Sequence, residues 1–446
     1  MQVLNSSAKT HGGIRRLALS SVVLLVDSAI RIVLVTAVAL WMARVLGPEQ
    51  FGALNFASAC VAIGWGVAGL GLDTPTTARL STGANPRDLL GTAIVLRIAC
   101  AVVVVLALLF GSTIAVGSGE HASLALQVAC FGILGASASV VDTWFKSRAD
   151  ALPPSLARIF ATIVAVVARV GLLLAGFGVV ALAATIALEG ILVGLALLAA
   201  FAVSKDAPRP TELTFDSNQA RSLIRSGWPY FLSAAAMAGL MKIDTVMLGL
   251  MSGPKDVGIY SVAQKMSEVL YVVPIVILDS AYSLLAKART VDHPGTASYE
   301  QTYFDLSMAG AMIFTLIALI LGGPAISLLF GDAYSESVGV FLIHAWTAIP
   351  IALNASRQRW LAVRERHGYA ALPAIVGLVL SCILNLLLIP AYGSVGAAFA
   401  SLAAYCSFGY LLSFLIPALR PVAVLQTRSF FPWVRLARLA LDRHRA

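Results

Sequence analysis

The sequence predicts an all-α integral membrane protein of about twelve transmembrane helices, and three observations support this fold class. Of the 446 residues, 59% are hydrophobic and only 12% are charged, whereas a soluble domain has about 45–50% apolar and about 25% charged residues. Long apolar runs recur along the chain, and basic residues gather in alternate connections between them. This small number of charged side chains cannot cover the surface of a water-soluble protein. Lipid must therefore be the main solvent of the chain.

The apolar runs set the number of spans, because a helix needs about 20 apolar residues to cross the hydrocarbon core. The first run is too long for the apolar region of a secretory signal, which has about 7–15 residues, so we expect it to be the first span. Twelve spans are predicted, at residues 17–43, 52–72, 88–116, 122–145, 155–177, 178–203, 226–251, 257–284, 303–330, 337–356, 368–391 and 393–418.

The basic residues predict the orientation. Connections on one side and the two ends carry 24 Lys and Arg residues, whereas the other side carries only Arg44 and Lys255. Basic residues favour the cytoplasmic side, so we expect both termini in the cytoplasm. The net charge of +9 is therefore explained by the basic residues that set the membrane topology, and no nucleic-acid partner is expected.

Two short motifs recur at nearly the same offset and predict an internal duplication. GPEQFGALNFA (47–57) and GPKDVGIYSVA (253–263) lie 206 residues apart, and FGVVALAA (177–184) and YGSVGAAF (392–399) lie 215 apart. Six spans is an even number, so the two halves are expected to be parallel repeats around a central cavity.

The predicted organisation follows from the spans and the duplication. The end 419–446 alternates basic and apolar groups, and is expected either to lie on the inner leaflet, in contact with its lipids, or to be a disordered basic end. The segments are a cytoplasmic N-terminus (1–16), an N-lobe (17–203), a cytoplasmic linker (204–225), a C-lobe (226–418) and a basic amphipathic tail (419–446).

Two longer stretches carry a resemblance to a known family. ARVLGPEQFGALNFA (43–57) resembles the first periplasmic turn of bacterial oligosaccharide flippases, the O-antigen and exopolysaccharide exporters of the multidrug/oligosaccharidyl-lipid/polysaccharide exporter superfamily. IDTVMLGLMSGPKDVGIYSVAQKMSE (243–268) is similar to the stretch that opens the second half of those proteins. In span count and layout the likeness extends over nearly the whole chain.

The resemblance implies a function and a set of partners. It implies two lobes that alternate access and flip a polyprenyl-pyrophosphate-linked oligosaccharide, of the undecaprenyl type, to the periplasmic leaflet for surface polysaccharide biosynthesis. Polysaccharide polymerase and glycosyltransferases would be partners. It also implies coupling to an ion gradient, for which an intramembrane carboxylate is the usual relay.

Charged residues within the spans are the candidate site, because a charge at mid-bilayer costs about 2.5–3.5 kcal/mol on insertion scales. A pyrophosphate group needs fixed cations along its route, and arginine offers phosphate a bidentate fork. The cationic candidates for substrate binding are Arg31, Arg97, Arg169, Lys242 and Lys265, and the candidates for ion coupling are Glu189, Asp244, Asp27 and Glu268.

Helical spacing divides these candidates. Asp27 and Arg31 are four residues apart, and Lys265 and Glu268 are three apart, so each pair is open to a salt bridge within one helix as well as to a substrate role. The remaining cations, Arg97, Arg169 and Lys242, have no acid three or four residues away. We therefore expect these three to be available to substrate.

Other functions stay as alternatives. A drug or organic-cation antiporter of the same superfamily is disfavoured by the five basic residues within the spans. The lipid-linked peptidoglycan precursor is another cargo, although its flippases usually resemble fourteen-helix proteins. A membrane polysaccharide polymerase is disfavoured because the connections are short and contain no metal-ligand cluster, nucleophile elbow or phosphate-binding glycine loop. We expect no enzyme activity, metal or cofactor.

Overall fold

The computed structural model describes residues 2–114, 119–204, 206–290, 296–364, 371–433 and 435, and it describes side chains from residue 34 onward except at 114 and at several positions within 272–298. Every regular element in these residues is a helix. The first compact unit comprises residues 1–238 and the second comprises residues 239–446.

The first unit contains eight complete helices and most of a ninth. They are α1 (Gln2–Ala68), α2 (Asp73–Ser81), α3 (Pro86–Ile114), α4 (Glu120–Ala129), α5 (Gly132–Ala136), α6 (Asp142–Ser147), α7 (Leu152–Leu174), α8 (Val179–Val203) and the start of α9 (Ser217–Met251). A 3₁₀ turn, Ser137–Val141, joins α5 to α6.

The second unit begins at Gly239, within the second half of α9. Its helices are α10 (Pro254–Thr290), α11 (Thr296–Phe330), α12 (Glu336–His344), α13 (Ala348–Val363), α14 (Ala371–Cys406), α15 (Leu412–Leu415) and α16 (Arg420–Arg428). A π-helical stretch, Ser407–Leu411, lies between α14 and α15.

The predicted all-α membrane fold is confirmed. In the described residues, nine stretches are long and apolar enough to cross a membrane. Two helices each contain two predicted spans, because α1 breaks at Gly47 and α14 breaks at Gly393. In the residues that the structure describes, each of the twelve predicted spans lies mainly on helical segments, and the protein is therefore a multi-pass membrane protein.

The predicted linker 204–225 packs within the first unit. Arg87 forms an ion pair with Glu212 at 3.1 Å, and the Thr214 hydroxyl donates to Asp88. The two units divide inside α9, between Ala238 and Gly239. The six-plus-six division at the linker stays a prediction.

The first pair of repeated motifs has the same backbone geometry in both units. Gly47 has a φ of 70° and Gly253 a φ of 93°, and each is followed by a proline at the start of a helical segment. Glycine accepts this left-handed conformation without a Cβ clash, and proline fits the first turn of a helix because its missing N–H has no partner there. The GP dipeptide therefore ends one helix and begins the next.

The second pair differs between the units. Gly393 has a φ of 54° and a ψ of −130°, a region open almost only to glycine. Its counterpart Gly178 is extended, and Gly176 takes the left-handed conformation instead. The helix reversal therefore falls two residues earlier in the first unit.

Substitution of Gly393 tests this reversal. We expect Gly393→Ala to lower the free energy of unfolding by about 1–3 kcal/mol, because the backbone is strained for an L-residue. The added Cβ would also lie 3.0 Å from Oδ2 of Asp256. Apparent Tm in detergent is the measurement.

Gly171→Ala is the matched control for this substitution. Gly171 lies inside α7 with open space around its missing Cβ, so alanine there should stabilise the helix by about 0.5–1 kcal/mol. Equal Tm changes in the two variants would contradict the strained reversal.

The described part of the tail is anchored to the second unit. The guanidinium of Arg435 donates from Nε and Nη2 to both carboxylate oxygens of Asp305, at 2.6 and 2.7 Å. Asp305 is 1% exposed and also accepts from Gln301 at 2.8 Å. Asp305 is therefore a buried acceptor that holds the described part of the tail. Of the predicted amphipathic tail, residues 434 and 436–446 lie outside the described residues.

Candidate functional sites in the two units

Arg97 on α3 is the centre of a polar cluster in the first unit. Its guanidinium donates from Nη2 to Asp73 at 2.8 Å, from Nε to the backbone oxygen of Gly69 at 3.2 Å and from Nη1 to Ser139 at 3.1 Å. The Arg97 side chain is 5% exposed and that of Asp73 is 50% exposed. A cation buried in an apolar helix thus receives its counter-charge from the start of α2, an arrangement that makes its insertion tolerable.

A second pair joins α7 and α8. Nη2 of Arg169 lies 3.8 Å from a carboxylate oxygen of Glu189, and its Nε donates to the Thr185 hydroxyl at 2.9 Å. Glu189 also accepts from Thr162 at 3.0 Å. The two charged groups therefore form an ion pair across the two helices, and each also has a hydroxyl partner.

A cavity of about 390 Å³ connects the two clusters within the first unit. Arg97 and Glu189 both line it, and Arg158 joins them from α7. Nη1 of Arg158 donates to Asp142 at 3.3 Å, and Asp142 also pairs with Lys146 at 2.9 Å. Asp142 is thus a buried counter-ion shared by Arg158 and Lys146.

Asp244 on α9 is enclosed by hydroxyl and amide groups of the second unit. Its oxygens accept from Asn385 at 2.6 Å, Ser381 at 2.8 Å and Ser401 at 2.5 Å, and from Tyr260 at 3.3 Å. The residue is 3% exposed. These donors come from α10 and from both arms of α14, so the carboxylate joins four helical segments.

One polar atom of Asn385 has no hydrogen-bond partner among the described residues. Its amide nitrogen donates to Asp244, whereas its buried Oδ1 makes no hydrogen bond in the described residues. Oxygen atoms of a carboxylate, an amide and hydroxyls are the ligands that hard cations prefer. The cluster therefore has the composition of a site for a proton or a small hard cation.

The remaining predicted residues of the second unit lie on α9 and α10. The ammonium of Lys242 lies 3.2 Å from a carboxylate oxygen of Glu268, and both side chains are about one-third exposed. Lys265 is half-buried one turn before Glu268 on α10. His344, 2% exposed, packs edge to face on Tyr260 at 5.7 Å, as expected of a packed histidine.

The pairing of these charges corrects the interpretation drawn from helical spacing. Arg97, Arg169 and Lys242 were expected to be available to substrate because no acid lies three or four residues away, and each is paired with an acid on a different helix. Spacing of three or four residues detects partners within one helix only. The side chains of Asp27 and Arg31 lie outside the described residues, and substrate binding by the five predicted cations stays a prediction.

Arg357 is a functional candidate that sequence reasoning missed, because it follows a predicted span and was counted among the cytoplasmic residues. It is 0% exposed on α13. Its guanidinium donates to Asn354 at 2.8 Å and Ser413 at 3.1 Å and lies 5.5 Å from the ring centroid of Phe408 in the π-helical stretch. Among the described residues it forms no salt bridge, and the sequence carries no signal for this burial.

The fold and these sites define a helical multi-pass membrane protein with paired charges inside its helices. The model of the family described as "Polysaccharide biosynthesis protein" matches residues 20–289, which is more than half of the chain. The chain belongs to this family.

Two relatives of known sequence are similar to the chain. The "Probable flippase AglR" of Haloferax volcanii is 30% identical over 193 residues, which is 41% of this chain and 38% of that protein, so the match spans about two-fifths of the relative. The "Putative O-antigen transporter" of Escherichia coli K12 is 22% identical over 377 residues, which is 82% of this chain and 88% of that protein.

Solved structures share the fold. The lipid II flippase MurJ in an inward closed conformation aligns with a TM-score of 0.72 at 12% identity, over 94% of this chain and 92% of that one. An inward-facing multidrug resistance transporter of the MATE family aligns with a TM-score of 0.65 at 15% identity, over 92% and 99%. At these identities the likeness establishes the fold alone.

Proposed function

We propose that the protein flips a polyprenyl-pyrophosphate-linked oligosaccharide from the cytoplasmic to the periplasmic leaflet of a bacterial inner membrane, for the synthesis of a surface polysaccharide. Membership of the polysaccharide biosynthesis family supports this, as do the names of the flippase and O-antigen transporter relatives. Both termini would lie in the cytoplasm, with the glycosyltransferases that build the substrate on the same side.

The observation that carries the proposal is the set of buried charged groups within the helices of each unit. Each buried charged group raises the free energy of insertion into the membrane. Pairing lowers this free energy, but the polar atoms remain inside the protein. A carrier of a charged, hydroxylated headgroup needs such groups within its helices. Replacing pairs with apolar residues would make insertion cheaper, so their presence indicates a role beyond folding.

Ion coupling is assigned within this proposal to Asp244 rather than to Glu189 or Glu268. Glu189 and Glu268 each have a cationic partner, so a further cation bound at either carboxylate would compete with an existing ion pair. The described partners of Asp244 are neutral hydroxyls and an amide. When its neighbours are neutral, a carboxylate can bind or release a proton or a small cation without disrupting an ion pair.

The experiment measures surface polymer in cells that lack the chromosomal gene and carry Arg97→Ala, Arg169→Ala or Lys242→Ala. We expect each variant to reduce export by about tenfold or more, because a lost hydrogen bond to a charged group is worth about 1.5–3 kcal/mol. The lipid-linked precursor should accumulate, and Arg209→Ala, an exposed residue of the connection 204–225, should export normally. Full export by all three variants, at normal protein levels, would refute the role of these cations.

A further inference from the structure

The cavity of the first unit has no net formal charge in its lining. Two carboxylates, of Asp73 and Glu189, face two guanidiniums, of Arg97 and Arg158. Adding the buried partners Arg169 and Asp142 brings one more charge of each sign. A pyrophosphate group carries several negative charges, and a balanced lining offers no excess cation to neutralise them.

The lining is nevertheless rich in hydrogen-bonding groups. Three N–H groups of Arg97 are used by Asp73, Gly69 and Ser139, and a guanidinium has five. The half-exposed carboxylate of Asp73 uses Oδ1 in its described contact. Hydroxyl groups both donate and accept, so a polyhydroxylated ligand matches donors and acceptors that lie side by side.

An aromatic ring and small residues complete the cavity. Trp65 lines it and is 41% exposed, and an aromatic face carries partial negative charge that attracts the weakly positive C–H groups of an apolar ligand face. Gly66, Gly69 and Ala136 also line it and leave room beside the indole. The volume of about 390 Å³ lies near the lower end of ligand pockets, about 300–1,000 Å³.

We propose that this cavity binds one neutral pyranose residue of the oligosaccharide, with Trp65 against the ring and Asp73 and Arg97 on its hydroxyls. The assignment rests on the proposed function and adds to it a sugar subsite separate from the pyrophosphate. On the predicted topology, Asp73 follows the cytoplasmic end of the second span, so the cavity opens near the leaflet where the substrate is made.

The test is direct binding to the purified full-length protein in lipid nanodiscs. Saturation-transfer difference NMR is recorded with glucose, galactose, mannose and N-acetylglucosamine, and ³¹P line broadening is recorded with inorganic pyrophosphate. We expect at least one sugar to bind saturably, and its affinity to fall by about tenfold in Trp65→Ala, the loss of about 1.4 kcal/mol. Pyrophosphate should not compete with the sugar.

Three further variants keep the test decisive. Trp65→Phe should retain part of the affinity because an aromatic face remains, and Ala136→Leu should block the cavity without removing a polar group. Trp228→Ala is the matched control, because Trp228 is 55% exposed, packs on Phe231 and does not line the cavity. Variants are compared only if their apparent Tm matches the wild-type protein.

The outcomes separate this assignment from the proposed function. A sugar that binds equally to wild type, Trp65→Ala and Ala136→Leu overturns the assignment, as does the absence of binding by every sugar in the wild type. Competition by pyrophosphate would make the cavity an anion site instead. If cells without the gene still export polymer, the proposed function fails; if they require the gene but export normally with Trp65→Ala and Ala136→Leu, only the sugar subsite fails.

Discussion

Replacing Asp244 with alanine is expected to abolish export and to lower the free energy of unfolding by about 3 kcal/mol or more. The substitution removes the acceptor of Ser381, Asn385 and Ser401, all of which are buried. A buried donor left without a partner costs about 1–3 kcal/mol, and three such costs are not fully additive. Apparent Tm in detergent and surface polymer in complemented cells are the two measurements.

Asp244→Asn separates the role in stability from the role in coupling. The amide keeps the size of the side chain and one acceptor oxygen, so its Tm should lie between those of Asp244→Ala and wild type. Export should nevertheless be lost, because an amide neither carries a negative charge nor exchanges a proton. Asp332→Asn, an exposed residue of the second unit, is the matched control and should export normally. Gradient-dependent export by Asp244→Asn would contradict the assignment of coupling to Asp244.

Removing Arg169 and Glu189 together is expected to cost less stability than removing either one. Glu189→Met leaves the guanidinium of Arg169 buried without a counter-charge, and breaking a buried pair in this way costs about 3–5 kcal/mol. The value here should fall at the lower end, because the two groups are 3.8 Å apart and Glu189 is 26% exposed. Arg169→Met similarly isolates Glu189, which keeps its bond from Thr162.

The double variant Arg169→Met/Glu189→Met has no unpaired charge and should approach wild-type stability, since apolar replacement of a buried pair is often neutral. If the pair contacts the substrate, export by the double variant should stay low although its stability is restored. The measurement is a double-mutant cycle in Tm and in polymer. Stability losses that simply add would show that the two residues do not act as a pair.

The span count and the helix reversals could be predicted from sequence because both depend on local properties. An apolar run of sufficient length has one low-energy structure in lipid, and the dipeptides at Gly47 and Gly253 set the break between two helices by their own backbone preferences. The same reasoning placed the boundary between the lobes in the connection 204–225. The compact units divide inside α9, and the six-plus-six division into lobes stays a prediction.

The candidate site could be predicted only in part. Sequence identified Arg97, Arg169, Lys242 and the carboxylates as unusual, since any charge inside an apolar run is unusual. It could not identify their partners, which come from other helices, because spacing along the chain shows only the partners within one helix. Arg357 was missed for a related reason: its burial depends on Asn354, Ser413 and the ring of Phe408.

The sequence by itself determined that this chain is a helical membrane protein, where its helices run and which charges they carry, because hydrophobicity and local backbone preference act over a few residues. Only the tertiary structure decided which charge meets which, that Asp244 lies among neutral oxygens, and that Trp65, Asp73 and Arg97 line one cavity. Those relations join residues from helices far apart in the chain, and their energies depend on distance and burial, which appear only when the helices pack.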